Sequence, residues 1–319
     1  MHEMKGAETD MEEGKHPLVS AIMTTYRRPE AVVRRALDSI MAQDYPQLEV
    51  FLVNDCPEEA GLVESLRHLC LSYSSSRPVN YIVVDHNGGA CKARNLAIRQ
   101  ARGTYVACLD DDDEWLPDKI GAQVAVAENG DAIDLVYCEA ELLYDQEPSR
   151  RGSLLGERPL PSGNIFSQLL SENFIGSCSF PLIRRQALLA VGGFDEAMPA
   201  LQDWELYLRL AKRGSAACCS QPLARYHFHA GDRISAHPQG RTDAYERIHR
   251  EFAEDLDGDP SAAAGFYRMG TYFYSILGDG HQAMAYYRRS VRLKPFDLKR
   301  NIKDFFRMTL RPLVRKRIV

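Results

Sequence analysis

The segment CLDDDDEWLP, residues 108–117, places four aspartates and a glutamate directly behind the apolar run TYVACL. Carboxylates this close repel one another, so the segment is either a solvated loop or a place where a cation binds. Asp110 and Asp112 alternate along the chain, and alternate side chains of an extended segment point to the same side. A few carboxylates completed by substrate phosphates are typical ligands of Mg²⁺ and Mn²⁺. Because the run follows an apolar, strand-like segment, we favour a site for Mn²⁺ or Mg²⁺.

A metal at a strand end implies a phosphorylated ligand, and two further residues offer contacts to a nucleotide. The chain has neither a GxxxxGK[ST] phosphate loop nor a GxGxxG motif, which argues against those two modes of binding. The ring of Tyr26 could stack on a base, and the carboxylate of Asp55 could accept an imide N–H such as that of uracil. A buried tyrosine and a strand-end aspartate are also common in proteins that bind no nucleotide.

Strand and helix signals alternate along the first part of the chain, and these elements must position the polar residues. Four runs are apolar throughout and predict strands, at 18–26, 48–55, 79–86 and 104–110. Between them, apolar residues at helical spacing predict helices at 28–43, 61–73 and 89–101. Apolar strands joined by helices predict a Rossmann-like α/β fold, with a largely parallel sheet and helices on both faces. Ligands bind beyond the carboxyl ends of such strands, which is where TTYRR, NDCPEE, DHNGG and DDDDE stand.

The pattern loosens after residue 130. A strand is predicted at 134–144, a mobile loop rich in Pro, Gly, Ser and Arg at 146–163, and a helix at 203–214. We expect the chain to divide into a disordered tail at 1–16, a main domain at 17–235, a connecting helix at 236–258 and a small α-helical extension at 259–319.

The helical extension begins with a segment that resembles one tetratricopeptide repeat, two helices joined near Gly278–Gly280. Four residues fall at the spacing of that repeat's consensus positions: Tyr274, Ala283, Tyr287 and Pro295. Such repeats normally need neighbours, and a plain helical hairpin packed on the main domain is equally consistent with the pattern.

The last 26 residues, 294–319, carry nine basic residues against two acids, with apolar residues interleaved. This combination predicts an amphipathic basic helix that lies on an anionic membrane surface. The alternative is a solvated helix face followed by a frayed end.

Composition limits the classes of function. The chain has 319 residues, of which 45% are apolar and 26% charged, and its net charge of −5 gives no reason to expect a nucleic acid partner. Eight cysteines without a CxxC pair predict core thiols in a reducing compartment, with a redox role left open for the Cys218–Cys219 pair. Without a visible signal peptide or an apolar run of about 18 residues, we expect a cytoplasmic location, with peripheral attachment to the inner face of the cell membrane as an option.

Three segments together resemble a family 2 glycosyltransferase of the GT-A fold. They are residues 19–55, 87–117 and 192–214, which contain the patterns TTYRRPE, ARN, DDDD and QDW in the family's order and spacing. The resemblance covers roughly residues 17–235, about two thirds of the chain.

The resemblance implies roles for the residues at matching positions. Those expected to bind the nucleotide are Thr24, Thr25, Tyr26, Asp55, Arg94, Asn95, Asp110 and Asp111. Tyr26 would stack on the base, and Asp55 would contact the base, although the family commonly has a further aspartate where this chain has Asn54. Arg94 and Asn95 would lie near the diphosphate and the metal.

The resemblance also implies a metal site and a general base. Asp110 and Asp112 match the DxD motif, with Asp112 as the direct metal ligand, and His229 matches a histidine that can approach the diphosphate or metal. Asp203 matches the base of the family's ED motif. It is preceded by Gln202 instead of glutamate, a loss of negative charge that would lower the pKa of the base modestly.

The activity that the resemblance implies is inverting, metal-dependent transfer of a hexose from a nucleotide sugar, first of all a UDP-sugar, to a glycan or lipid-linked acceptor in cell-surface polysaccharide synthesis. A single base that deprotonates the acceptor without a covalent intermediate implies inversion. Two alternatives remain. A sugar nucleotidyltransferase would carry a Gly-rich phosphate loop where this chain has TTYRRPE. The intact aspartates argue against a non-catalytic UDP-sugar-binding scaffold.

Overall fold

The structure, a computed structural model, describes residues 16–73, 75, 77–129, 132–144, 146–147, 149–153, 160–228 and 237–315. The predicted tail at 1–16, except its last residue, and part of the predicted loop at 146–163 lie outside the described residues. Every helix in the described ranges is too short or too polar to cross a membrane.

The first part of the chain builds the parallel half of a sheet. Its strands are β1 (Val19–Thr25), β2 (Leu48–Asn54), β3 (Val79–Val83) and β4 (Tyr105–Asp110). The helices between them are α1 (Glu30–Met41), α2 (Ala60–Ser72) and α3 (Ala90–Gln100). Parallel pairing gives the order β3-β2-β1-β4, with β1 buried along its whole length. These seven predicted elements are confirmed, but β3 is shorter than expected and only partly buried because it forms the edge of the sheet.

The second half of the sheet is mixed. Its strands are β5 (Glu114–Trp115), β6 (Leu135–Tyr144), β7 (Arg151–Ser153), β8 (Leu182–Arg184) and β9 (Ala216–Phe228). Its helices are α4 (Lys119–Ala127), α5 (Phe166–Ser171), α6 (Arg185–Ala190) and α7 (Gln202–Ala211). The order continues β4-β8-β6-β9-β5, with β7 beside β6 and with β8 antiparallel to both neighbours. The sequence did not predict β9, because its polar residues interrupt the apolar run by which the other strands were recognised.

Side chains alternate across the sheet and build a core on each face. In β1, Ala21 and Met23 face the layer of α1, α2 and α4, whereas Ile22 faces the layer of α3, α5 and α7. Helices on both faces confirm the predicted α/β architecture and explain why the central strands are apolar throughout.

The described part of the chain beyond β9 is helical. Its elements are α8 (Pro238–Glu251), α9 (Ala253–Gly258), α10 (Pro260–Leu277), α11 (Gly280–Leu293) and α12 (Leu298–Arg315). The ring of Phe266 in α10 stacks on Tyr245 in α8, with centroids 4.5 Å apart, and lies 5.8 Å from the ring of Trp204 in α7. The predicted hairpin, α10 and α11, is therefore packed through α10 on α7 and α8. Its likeness to a tetratricopeptide repeat stays a prediction.

Gly270 allows α10 to approach α8 and α11 closely. A Cβ atom there would lie 2.6 Å from the hydroxyl oxygen of Tyr245 and 2.8 Å from Cγ of Tyr286. Both tyrosines are buried, so neither ring can move aside without disturbing its own packing.

We expect Gly270→Ala to lower the free energy of unfolding by about 1–3 kcal/mol, because the added methyl overpacks this contact. The control is Gly121→Ala in α4, where a Cβ meets nothing within 4 Å. That change should raise stability by up to about 1 kcal/mol through helix propensity. Urea unfolding of both variants measures the difference. Equal stabilities would contradict the close packing of α10.

Candidate functional site

The ends of β1, β2 and β4 lie side by side at one edge of the sheet. The parallel register pairs Thr24 with Asp110 and Thr25 with Asn54. The backbone N–H of Asp55 donates to the carbonyl of Thr25 (2.9 Å), which extends the alignment beyond the strands. The polar clusters that follow these three strands in the sequence are thus brought together in space.

Arg28 brings positive charge to the acidic run. Its Nε donates to Oδ1 of Asp111 (3.0 Å), and its Nη2 donates to Oδ2 of Asp112 (2.8 Å). Nη2 of Arg35 donates to the backbone carbonyl of Asp112 (2.8 Å). Burial raises the pKa of Asp111 to about 6, although the charge of Arg28 opposes this shift. The run is a partly buried, ion-paired cluster, so the interpretation as a solvated loop is wrong.

Asp110 connects β4 to α3 and to the loop before β8. Nη2 of Arg94 donates to Oδ1 of Asp110 (2.6 Å), and the hydroxyl of Ser177 donates to Oδ2 (2.9 Å). Nη1 of Arg94 also donates to Oε1 of Gln202 (3.4 Å). One buried arginine therefore links the end of β4 to the beginning of α7.

Asp113 is the most buried acid of the run. Its Oδ2 accepts a hydrogen bond from the hydroxyl of Ser179 (2.6 Å), and its Oδ1 accepts one from the backbone N–H of His227 (3.3 Å). Burial, followed by the charges of Asp110 and Asp112, raises its pKa well above the ordinary range.

The pairing of β5 with β9 brings Glu114 and His227 together beside this cluster. Nε2 of His227 lies 2.7 Å from Oε1 of Glu114, and this hydrogen bond lowers the pKa of the glutamate. His229, the histidine predicted to approach the metal, lies outside the described residues.

Three residues expected to hold the base of the nucleotide lie at or next to the end of β1. Thr24 and Thr25 are buried, whereas Tyr26 is 44% exposed. Arg27 has a φ of 52°, and its guanidinium carbon lies 5.1 Å from the centroid of the Tyr26 ring. This left-handed conformation costs a residue with a side chain about 1–2 kcal/mol and turns the chain sharply after the strand. The turn leaves much of Tyr26 open to a stacking partner.

Asp55 holds the loop that follows β3. Its oxygens accept hydrogen bonds from the backbone N–H groups of Gly88 (2.9 Å) and Gly89 (2.8 Å) and from Nδ2 of Asn87 (3.0 Å). Gly89 has a φ of 83°, which favours glycine. An N–H group of a nucleotide base would have to share the oxygens of Asp55 with these donors. The structure thus gives Asp55 a role in anchoring the loop, which the sequence did not predict.

Asn95 supports the segment before α7. Its Oδ1 accepts from the N–H of Phe194 (2.9 Å), and its Nδ2 donates to the carbonyl of the same residue (2.8 Å). A Cβ at Gly193 would lie 2.6 Å from Oδ1, so the amide fits against a glycine. Of the ARN pair, Arg94 contacts the acidic run and Asn95 contacts a neighbouring turn.

Asp203 lies in the first turn of α7, one residue inside the helix, so it does not occupy the cap position. Its Oδ1 accepts from the N–H of Trp204 (2.8 Å), and its Oδ2 accepts from Nδ2 of Asn173 (3.4 Å). Burial raises the pKa of Asp203 to about 6, and the charge of Asp110 adds to the shift. This burial outweighs any lowering expected from the neutral Gln202.

The carboxylate oxygens at the strand end suit a hard divalent cation that binds together with a phosphorylated substrate. The described residues contain no group of three Asp, Glu, His or Cys side chains placed to hold a metal by themselves. Asp110 and Asp112 supply carboxylate oxygens, and Mg²⁺ or Mn²⁺ is typically bound by one or two carboxylates plus substrate phosphates. The residues fit such an ion, held jointly by the protein and a diphosphate.

Sequence reasoning missed the partners of the acidic run. They are Arg28, Arg35, Ser177 and Ser179. A buried acidic run signals that counter-charges are needed, and the adjacent TTYRR contains one of them. No local pattern shows which of the 39 lysines and arginines folds onto the run.

Comparison with protein families gives one match. The model described as Glycosyl transferase family 2 matches residues 20–192, more than half of the chain. Among curated relatives, WcaA of Escherichia coli (strain K12), named for colanic acid biosynthesis as a glycosyl transferase, is 28% identical over 246 residues. The match covers 76% of this chain and 84% of the relative.

Solved structures share the fold. S. aureus TarS in complex with UDP-GlcNAc matches with a TM-score of 0.65 at 17% identity, over 94% of this chain and 92% of that chain. The mannosyltransferase PcManGT from Pyrobaculum calidifontis, in complex with GDP-Man and Mn²⁺, matches with a TM-score of 0.59 at 19% identity, over 87% and 76%. The predicted fold class, α/β of the GT-A type with added C-terminal helices, is confirmed.

Arg28→Gln should destabilise the protein by about 2 kcal/mol at pH 8, because it leaves the buried Asp111 carboxylate without its counter-ion. The folded pKa of Asp111 is raised to about 6, so its stabilising contribution is present at low pH and is lost as pH rises through 6. The variant should therefore lose less stability at pH 5 than at pH 8. Urea unfolding at both pH values tests this.

The matched control is Arg34→Gln, which removes an exposed pair with Glu30 on α1 and should cause no measurable loss at either pH. If Arg28→Gln lost the same amount of stability at pH 5 and at pH 8, the idea that Arg28 compensates the ionised carboxylate of Asp111 would be contradicted.

Proposed function

Because the chain belongs to glycosyltransferase family 2, we propose that it is an inverting, metal-dependent hexosyltransferase. The donor is a nucleotide sugar, first of all a UDP-sugar, and the acceptor is a hydroxyl of a glycan or of a lipid-linked sugar in cell-surface polysaccharide synthesis. The relative named for colanic acid biosynthesis supports the process, and the fold shared with a UDP-GlcNAc complex supports the donor class.

One observation carries the proposal. Arg94 donates to Asp110 at the end of β4 and to Gln202, the neighbour of Asp203, at the start of α7. This bridge sets the candidate base close to the acidic strand end. A donor whose diphosphate lies at the strand end would then present its anomeric carbon near an acceptor hydroxyl beside Asp203.

Asp203 has the properties of a general base. A pKa of about 6 leaves the carboxylate mostly ionised at neutral pH and makes it a stronger base than an ordinary aspartate. Asn173, which donates to Oδ2, fixes its orientation. With one base and direct displacement, the acceptor oxygen attacks the face opposite the leaving diphosphate, and the configuration at the anomeric carbon inverts.

Asp110 and Asp112 would hold Mn²⁺ or Mg²⁺ together with the diphosphate. A bound divalent ion offsets the charge that grows on the departing diphosphate. Arg28 and Arg94 keep two further positive charges beside the same carboxylates. Tyr26, at the exposed end of β1, is the candidate stacking platform for the base, with Thr24, Thr25 and Asp55 beside it.

Two other functions remain as alternatives. A sugar nucleotidyltransferase would need a Gly-rich phosphate loop after β1, where the chain has Tyr26-Arg27-Arg28-Pro29. A non-catalytic scaffold would bind UDP-sugars without turnover, so the substitution of Asp203 separates it from an enzyme.

Asp203→Asn should lower the rate of UDP-sugar transfer or hydrolysis by about 10²–10⁴-fold, because an amide cannot accept the proton, while UDP affinity stays within about twofold. The wild-type rate should rise with pH and level off above about 6, as Asp203 loses its proton. Asp118→Asn, an exposed site before α4, is the control and should keep full activity. Equal UDP binding without turnover in both wild type and Asp203→Asn would instead support the scaffold.

Mn²⁺ and UDP should bind cooperatively. We expect UDP to raise the melting temperature by several degrees in the presence of Mn²⁺. A ligand that binds only the folded protein, at about 100 times its Kd, adds about 2.7 kcal/mol to the free energy of unfolding. The rise should shrink strongly in EDTA or in Asp112→Asn and should persist in Asp118→Asn. A UDP-induced rise that is the same in EDTA would refute the joint metal site and leave diphosphate binding to Arg28 and Arg94. The same assay with a panel of nucleotide sugars identifies the donor.

A further inference from the structure

The beginning of α12 exposes a row of large apolar side chains. Leu298, Ile302 and Phe306 are 64%, 55% and 53% exposed, and Phe296 just before the helix is 92% exposed. The spacing of four residues puts the first three on one face of the helix. So many exposed large apolar residues on one short segment mark an interaction surface. We call it the α12 face.

The orientation of α12 is set by its acidic side. Arg268 in α10 contacts Asp304 (2.6 Å) and Asp297 (3.5 Å). Asn301 is buried, and its Nδ2 donates to the carbonyl of Lys294 (3.1 Å). The two acids in residues 294–319 are thus turned toward the protein, and their repulsion for an anionic surface is largely neutralised.

Basic residues flank the α12 face. Lys299, Arg300 and Lys303 are exposed, and beyond Asp304 the sequence continues to Val319 with five more lysines or arginines and no further acid. The whole chain nevertheless has a net charge of −5, so positive charge is concentrated in this segment. A cationic, apolar helix face complements a surface that is anionic and has an apolar interior.

We propose that the α12 face docks on an anionic lipid bilayer. The helix lies in the plane of the interface, with Leu298, Ile302 and Phe306 in the boundary between headgroups and acyl chains, and with lysines and arginines on lipid phosphates. This attachment goes beyond sugar transfer and does not depend on it. It holds the enzyme at the surface where a lipid-linked acceptor would be found.

The test is sedimentation of the full-length protein with vesicles of phosphatidylcholine alone or with about 30% phosphatidylglycerol. We expect binding to the anionic vesicles, at least about tenfold weaker binding to the neutral ones, and release as salt screens the attraction. Leu298→Asp/Ile302→Asp should lower the partition coefficient on anionic vesicles at least about tenfold, because two apolar side chains are replaced by negative charges that the anionic lipid repels.

The matched control is Leu71→Asp/Leu189→Asp, which makes the same kind of change at exposed positions on α2 and α6 and should bind vesicles like the wild type. Turnover of a soluble donor should be unchanged in Leu298→Asp/Ile302→Asp, so failure of this proposal is distinguishable from failure of the proposed function. Equal binding of both double variants, or no preference of the wild type for anionic vesicles, would overturn the proposal. Loss of a co-purifying protein without any vesicle binding would assign the face to a protein partner instead.

Discussion

Burial of the aspartates at the end of β4 is the constraint on which the site depends. Four adjacent carboxylates cannot be withdrawn from water unless positive charges or hydrogen-bond donors meet them. Arg28 meets Asp111 and Asp112, and Arg94 meets Asp110. Asp113 is instead held by the hydroxyl of Ser179 and the backbone N–H of His227, consistent with its strongly raised pKa. The carboxylates at the strand end are therefore partly neutralised by side chains of the protein itself.

The groups that balance these charges come from distant parts of the chain. One arginine precedes α1, another lies on α3, the serines stand in the loop before β8, and the backbone donor belongs to β9. The site is complete only when both halves of the sheet are in place. Formation of the cluster therefore depends on folding of the whole sheet, on its mixed half as much as on its parallel half.

The C-terminal helices contribute to the position of the candidate base. Trp204, next to Asp203, donates from its indole nitrogen to the carbonyl of Leu169 in α5 (2.7 Å), and its ring packs against Phe266 of α10. The helix that carries Asp203 is therefore held between the sheet and the C-terminal extension. Through α10, the same extension carries α12. The surface proposed for the membrane and the candidate base thus belong to one continuous packed structure.

The sequence by itself determined the order of strands and helices in the first part of the chain, the strand ends that carry polar residues, and the family. These are local properties, because apolar runs and helical spacing reflect burial of neighbouring residues. Only the tertiary structure decided that Arg28 and Ser179 serve the acidic run, that Asp55 anchors the loop at Gly88 and Gly89, and that Asp203 has a raised pKa. Each of these depends on contacts between residues that are distant along the chain, and on burial in three dimensions, which no local pattern encodes.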